Sequence, residues 1–124
     1  MKAEAYPCPC CGYRVFARPP GSEDPCPICG WIDDLMQLRF AAFDGQPNRI
    51  SLLRAQRNYA AIGAKDEAAL THVRFPRDGD VRDPEWRALD TDSDDVGSVP
   101  VDFDALAEPE DPSALYYWLP RHRG

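Results

Sequence analysis

Five cysteines carry the chemistry of this chain, and four of them fall into two matching turns. Cys8-Pro9-Cys10-Cys11-Gly12 and Cys26-Pro27-Ile28-Cys29-Gly30 both read C-P-x-C-G. Two residues between the cysteines let both sulfurs curl toward one ion, and the following Gly accepts the tight backbone of the turn. Two such turns supply four thiolates, Cys8, Cys11, Cys26 and Cys29, which suits one structural zinc ion per chain in a closed tetrahedral site. Four thiolates leave no open position on the metal, so catalytic zinc is not expected. A single C-x-x-C can instead be a redox pair. Such pairs sit at a helix start after a strand, whereas both pairs here end in Gly and occur as a matched set.

The other reactive side chains form no comparable pattern. Cys10 fills the x position of the first turn, whose side chain points away from the metal. It reads as an ordinary small thiol, or alternatively as a redox-sensitive one. His72 and His122 are the only histidines. No nucleophile elbow or Gly-rich oxyanion loop accompanies them, so a Cys10–His72 dyad has no local support. Asp90-Thr91-Asp92-Ser93-Asp94 starts like a calcium loop but has Asp95 and Val101 where Gly and a carboxylate belong. No catalytic residue and no enzyme activity are expected.

The elements that must position the cysteines are short. Tyr13-Arg14-Val15-Phe16 alternates like a strand, and Pro19-Pro20-Gly21-Ser22 reads as a turn. The 14 residues between Cys11 and Cys26 suffice for a hairpin that returns the second turn to the first, the zinc-ribbon arrangement. Trp31 and Ile32 are expected to cover one side of the site. Residues 34–50 show no clean period and end in a loop at Gly45-Gln46-Pro47-Asn48. Residues 51–63 read as a helix: Ser51 is an N-cap, Gly63 a stop, and Leu52, Ala55, Tyr59 and Ile62 share a face. Val73-Arg74-Phe75 reads as a short strand ended by Pro76. Residues 78–111 hold thirteen Asp or Glu and read as irregular. The apolar run 114–119 after them is expected to dock on the body or on a partner.

At 124 residues the chain fits one small domain, a size at which a metal staple helps most. The net charge of −7 is concentrated at the C-terminal end, where residues 91–124 carry 8 acidic and 2 basic side chains. That balance argues against a broad electrostatic grip on nucleic acid. A nucleic-acid-binding ribbon would have to rely on Arg49, Arg54 and Arg57. The first residues lack an apolar signal-peptide core and no run reaches the length of a membrane span. The expected compartment is therefore the reducing cytoplasm, where clustered cysteines bind metal rather than pair as disulfides.

Tyr6-Pro7-Cys8-Pro9-Cys10-Cys11-Gly12, Pro20-Gly21-Ser22-Glu23, Cys26-Pro27-Ile28-Cys29 and Trp31-x-Asp33-Asp34 together resemble the bacterial cysteine-rich CPCC family. Gln37, Asn48, Ser51-Leu52, Asn58-Tyr59, Gly63-Ala64, Val73-Arg74 and Arg82-Asp83-Pro84-x-Trp86 also look like its pattern, over roughly residues 6–88. Ile32 departs from it, standing where an acidic residue is expected. The resemblance implies a small metal-binding protein with the four-cysteine ligand set and names no substrate.

The expectation is thus a small α+β fold, a ribbon-like hairpin unit with two cysteine knuckles packed on one amphipathic helix. Residues 1–88 would form the metal-binding domain and 89–124 an acidic linker with an aromatic tail. The expected role is a non-catalytic zinc-binding module that meets an unidentified protein partner, in a regulatory or immunity-type setting. A nucleic-acid-binding ribbon and a thiol redox sensor using Cys10 are the alternatives. No small-molecule substrate or membrane association is expected.

Overall fold

A computed structural model of the chain describes residues 5–94 and 116–118. Two strands, β1 (Tyr6–Pro7) and β2 (Arg14–Phe16), pair antiparallel, with Tyr6 opposite Phe16 and Pro7 opposite Arg14. The first cysteine turn is the loop of this hairpin. The second turn has no strands of its own and is closed by a single antiparallel bridge, Pro25 to Ile32. The hairpin thus brackets one knuckle instead of connecting the two. Two α-helices follow, α1 (Leu35–Arg39) and α2 (Leu52–Ile62), then a 3-10 turn over Glu67–Thr71.

Helix α2 forms where its end signals place it. The Ser51 hydroxyl accepts the Arg54 N–H at 3.1 Å, and Gly63 ends the helix in the left-handed conformation at φ 81°. Leu52 and Ala55 are fully buried, and Tyr59 packs partly against the same cluster. Ile62, expected on that face, is exposed, and the polar Gln56 is buried instead.

The segment that shows no period in sequence is ordered by side-chain hydrogen bonds. Asp34 caps α1 by accepting the Gln37 N–H at 2.8 Å. The Gln37 amide donates to the carbonyls of Phe43 and Ile50, and its oxygen accepts from the Asn48 amide at 2.9 Å. Asn48 in turn takes the Ile32 N–H at 2.8 Å and donates to the Ile32 carbonyl at 2.9 Å. Asn48 therefore pairs with Ile32 as a neighbouring strand would. That contact uses only the backbone of Ile32 and so does not depend on the side chain at this position.

Val73-Arg74-Phe75, expected as a strand, is irregular chain. Its tie to the body is one bond from the Arg74 N–H to the Pro27 carbonyl at 3.1 Å, and the Phe75 side chain is 81% exposed. Residues 78–94 are turns and irregular chain that nevertheless pack on the body: the Arg14 N–H donates to the Val81 carbonyl, and Tyr13 bridges Arg82. The acidic stretch beyond, 95–111, lies outside the described residues. From the apolar run 114–119, Tyr116, Tyr117 and Trp118 are buried in the main cluster with Cys8, Phe16, Trp31, Leu38, Leu52 and Ala55. Among the described residues no helix is long and apolar enough to cross a membrane.

Candidate metal centre

The two C-P-x-C-G segments fold into the same turn, displaced along the chain from Cys8 to Cys26. In the first, the Gly12 N–H donates to the Cys8 carbonyl at 2.7 Å and the Cys8 N–H to the Tyr13 carbonyl at 2.8 Å. In the second, Gly30 donates to the Cys26 carbonyl at 2.9 Å and Cys26 to the Trp31 carbonyl at 2.8 Å. The flanking pairs correspond as well, since Pro7–Arg14 matches Pro25–Ile32. Both glycines have positive φ, 83° and 88°, a conformation that a side chain would strain. The repeat seen in sequence as five residues therefore extends to eight in the backbone.

This doubling brings four sulfurs together. The Sγ atoms of Cys8, Cys11, Cys26 and Cys29 all lie within 4.8 Å of one another, and their residues are buried. Cys8 and Cys29 are 3.6 Å apart and Cys11 and Cys26 are 3.7 Å apart, each pair drawing one sulfur from either turn. A tetrahedral thiolate site with metal–sulfur bonds of about 2.3 Å has sulfur–sulfur edges of about 3.8 Å. The four cysteines thus have the spacing to hold one metal ion.

The local backbone is arranged for thiolates. The Ile28 and Cys29 N–H groups point at the Cys26 sulfur at 3.4 and 3.5 Å, and the Trp31 N–H at the Cys29 sulfur at 3.4 Å. Hydrogen bonds from the thiols of Cys11, Cys29 and Cys8 hold Cys26 far below the usual thiol range. Burial pushes the Cys8 and Cys29 thiols well above it. Only a cation at the centre makes four buried thiolates favourable, so metal uptake must release protons.

The fifth cysteine, Cys10, is buried at the turn position equivalent to Ile28, which is also buried. Burial pushes its thiol up as well. It is not part of the four-sulfur group. His72 is exposed, beside Pro25, Cys26 and Pro27 along a groove, and also stands apart from the four. His122 lies outside the described residues. The Asp90–Asp94 carboxylates are used locally: Asp94 grips Arg87 at 2.6 Å and accepts the Asp90 N–H, and Asp90 accepts the Asp92 N–H. Arg49, Arg54 and Arg57 are exposed, and Arg54 reaches Asp44 at 3.7 Å.

The outward-facing carbonyls of the knuckles are closed by residues that the metal motif does not reveal. The Pro9 carbonyl accepts from the Gln56 amide at 2.9 Å and from the Trp86 indole at 3.0 Å. The Cys11 carbonyl accepts from Arg82 Nε at 2.8 Å, and the Gly12 carbonyl from the Asp83 N–H at 2.8 Å. Trp86 lies flat on Gly12, where a Cβ would come within 2.7 Å of its ring. Around the second knuckle, the Cys29 carbonyl accepts the Lys65 N–H at 2.8 Å and Ala69 covers Gly30. Gln56 also donates to the Tyr117 hydroxyl at 2.8 Å and accepts the Leu89 N–H, and that hydroxyl donates to the Arg87 carbonyl. A glutamine inside the apolar stripe of α2 was the available sequence signal for this clasp.

A family model described as cysteine-rich CPCC matches residues 6–80, more than half of the chain and all four clustered cysteines. No curated protein matches the chain in sequence.

Proposed function

This chain belongs to the cysteine-rich CPCC family, and we propose that it is a non-catalytic zinc-binding module whose task is to meet another protein, in a regulatory or immunity-type setting. The observation that carries the metal half of this reading is the set of four buried sulfurs within 4.8 Å of one another, two pairs of them at 3.6 and 3.7 Å. An all-sulfur, four-ligand set favours zinc among the common divalent ions and leaves no position for a substrate. Cys8, Cys11, Cys26 and Cys29 would hold the ion; bound there, it supplies cross-linking and charge neutralisation, not Lewis-acid chemistry. The chain's own backbone does the rest, steadying the thiolates of the second knuckle through three N–H groups.

The partner half rests on the surface. Phe75, Val81, Leu70 and Ile62 are large apolar side chains left exposed on a chain of net charge −7. The nucleic-acid alternative has less to draw on, because Arg54, one of its three arginines, already faces Asp44. Elemental analysis of the purified full-length chain should give one zinc per chain, and the zinc-loaded chain used as bait should capture a stoichiometric protein from its native host. Recovery instead of nucleic acid, released by moderate salt, would replace the protein-partner reading. A second metal-free preparation that captures the same protein equally well would separate the interaction from the metal.

A further inference from the structure

The C-terminal half of α2 and the strap at 75–88 enclose an open groove of about 650 Å³. Its walls include Tyr59 and Ile62 from the helix, Phe75, and Trp86 from the strap. Two of these side chains are free to meet a ligand: Ile62 is 40% exposed and Phe75 81%.

One cation is fixed in this groove. The Arg82 guanidinium lies 4.6 Å over the Trp86 ring and 5.4 Å from the Tyr13 ring, and its Nε is tied to the Cys11 carbonyl. Of the other arginines near the strap, Arg77 is exposed and does not line the groove, while Arg74 and Arg87 are already paired. Arg74 grips Asp80 with both terminal nitrogens, and Arg87 grips Asp94 in the same way. Among the described residues Arg82 has no carboxylate partner, although the chain has 21 acidic residues to 14 basic ones. Stacking and the Nε bond remove the rotamer freedom that a guanidinium otherwise loses on binding, and its terminal nitrogens are the donors suited to a carboxylate.

We propose that this groove docks an acidic peptide segment of a partner protein, with an aromatic or branched aliphatic side chain against Phe75 and Ile62 and a neighbouring carboxylate on Arg82. The inference rests on the interaction-module reading and names the chemistry of its partner. Charge complementarity decides the carboxylate. The open shape of the groove, running along the helix end, suits a peptide rather than an enclosed small molecule.

The test uses the zinc-loaded full-length chain and a labelled, end-capped hexapeptide, Gly-Asp-Phe-Asp-Leu-Gly, followed by fluorescence anisotropy. The expected result is saturable binding, weakened about tenfold when both Asp are replaced by Asn, since the charge-assisted bonds are lost. Phe75→Ala should weaken binding at least fivefold with metal content and melting temperature unchanged, because this ring is exposed. Arg82→Gln should abolish the preference for Asp over Asn. Equal binding of both peptides, or wild-type binding by Phe75→Ala, overturns the proposal. So does absence of binding up to about 1 mM, the weak end of specific recognition. The chain itself contains Asp102-Phe103-Asp104. If wild type binds nothing but a D102N/F103S/D104N chain binds the peptide, the groove belongs to the chain's own segment and the partner proposal is wrong. A host protein captured by wild type and by Phe75→Ala alike would leave the interaction-module reading standing and remove only this groove from it.

Discussion

The knuckle at Cys8–Gly12 and the knuckle at Cys26–Gly30 make the same two backbone–backbone hydrogen bonds, yet they are closed from outside by different chemistry. Four groups close the first: the Gln56 amide, the Trp86 indole, Arg82 Nε and the Asp83 N–H. Two backbone N–H groups, from Lys65 and Arg74, close the second. Burial follows the same split, for Pro9 is buried and Pro27 exposed. The difference arises from what lies next to each turn. Helix α2, the strap and Tyr117 all converge on the first knuckle, whereas among the described residues the short 3-10 segment and the chain on either side of it, Lys65 and Arg74, cover the second. A metal-binding turn satisfies its own inner hydrogen bonds, but its outward carbonyls need partners wherever they are buried. Both knuckles thus belong to the core, but the first has its outward face covered by side chains and the second keeps Pro27 exposed.

The four-sulfur group is what the two knuckles share, so the largest effect should come from breaking it. Replacing Cys8 or Cys26 with Ala is expected to have the same consequence: loss of the ion and collapse of both turns, because structural zinc supplies folding free energy of about 10 kcal/mol or more. Elemental analysis with circular dichroism checks this. A Cys26→Ala chain that loses only the second turn while the first stays protected from hydrogen exchange would show that the clasps hold the first knuckle without metal, and would sharpen the asymmetry.

The equivalent positions Cys10 and Ile28 offer a direct contrast. Both are buried, but Ile28 is the larger apolar side chain. Ile28→Ala should cost about 2–4 kcal/mol through the cavity it leaves. A denaturant midpoint within error of wild type would show that the second knuckle is not packed as tightly as its burial indicates.

Gln56→Ala comes next, at about 2 kcal/mol, because it strips a donor from the Pro9 carbonyl and a partner from Tyr117. Its effect should be local. Hydrogen exchange is expected to speed up at residues 8–13 and 86–89 and to stay unchanged at 26–31. Faster exchange at both knuckles would mean that the clasp acts through the metal site and not on one turn.

The parts legible in sequence are those whose determinants are local. The C-P-x-C-G spacing placed all four cysteines that gather their sulfurs, and Ser51 and Gly63 bounded α2 to within a residue. What escaped reading is held by distant partners. Helix α1 has five residues and no period, and depends on Gln37 meeting Asn48. The face of α2 differs from expectation at its end, because periodicity counts Ile62 as core and polarity hides that Gln56, within the stripe, is buried. The fold buries Gln56 because a carbonyl 47 positions away requires a donor. Val73–Phe75 has strand composition, but one bond to Pro27 gives it no ladder. Trp86 and Arg82 sit in a charged, turn-rich stretch, and only the bare Gly12 surface beneath the indole explains why an aromatic belongs there.

The smallest expected effect is Cys10→Ala, and it tests whether the first knuckle's x position does anything beyond packing. The thiol is small, buried and outside the four-sulfur group. Removing its sulfur leaves a cavity smaller than a methionine or leucine would, so the cost should be about 1 kcal/mol. Metal content should remain that of wild type. Burial also pushes this thiol up, so the protonated form dominates at neutral pH and alkylation should be slow. Mass spectrometry after a brief exposure of the zinc-loaded chain to iodoacetamide reads this directly. Rapid modification at Cys10 alone would mark the first knuckle as the site of thiol chemistry and give the redox-sensor alternative the support it now lacks. Protection at Cys10, together with an unchanged zinc content in Cys10→Ala, would leave packing as the role of the first knuckle's x position.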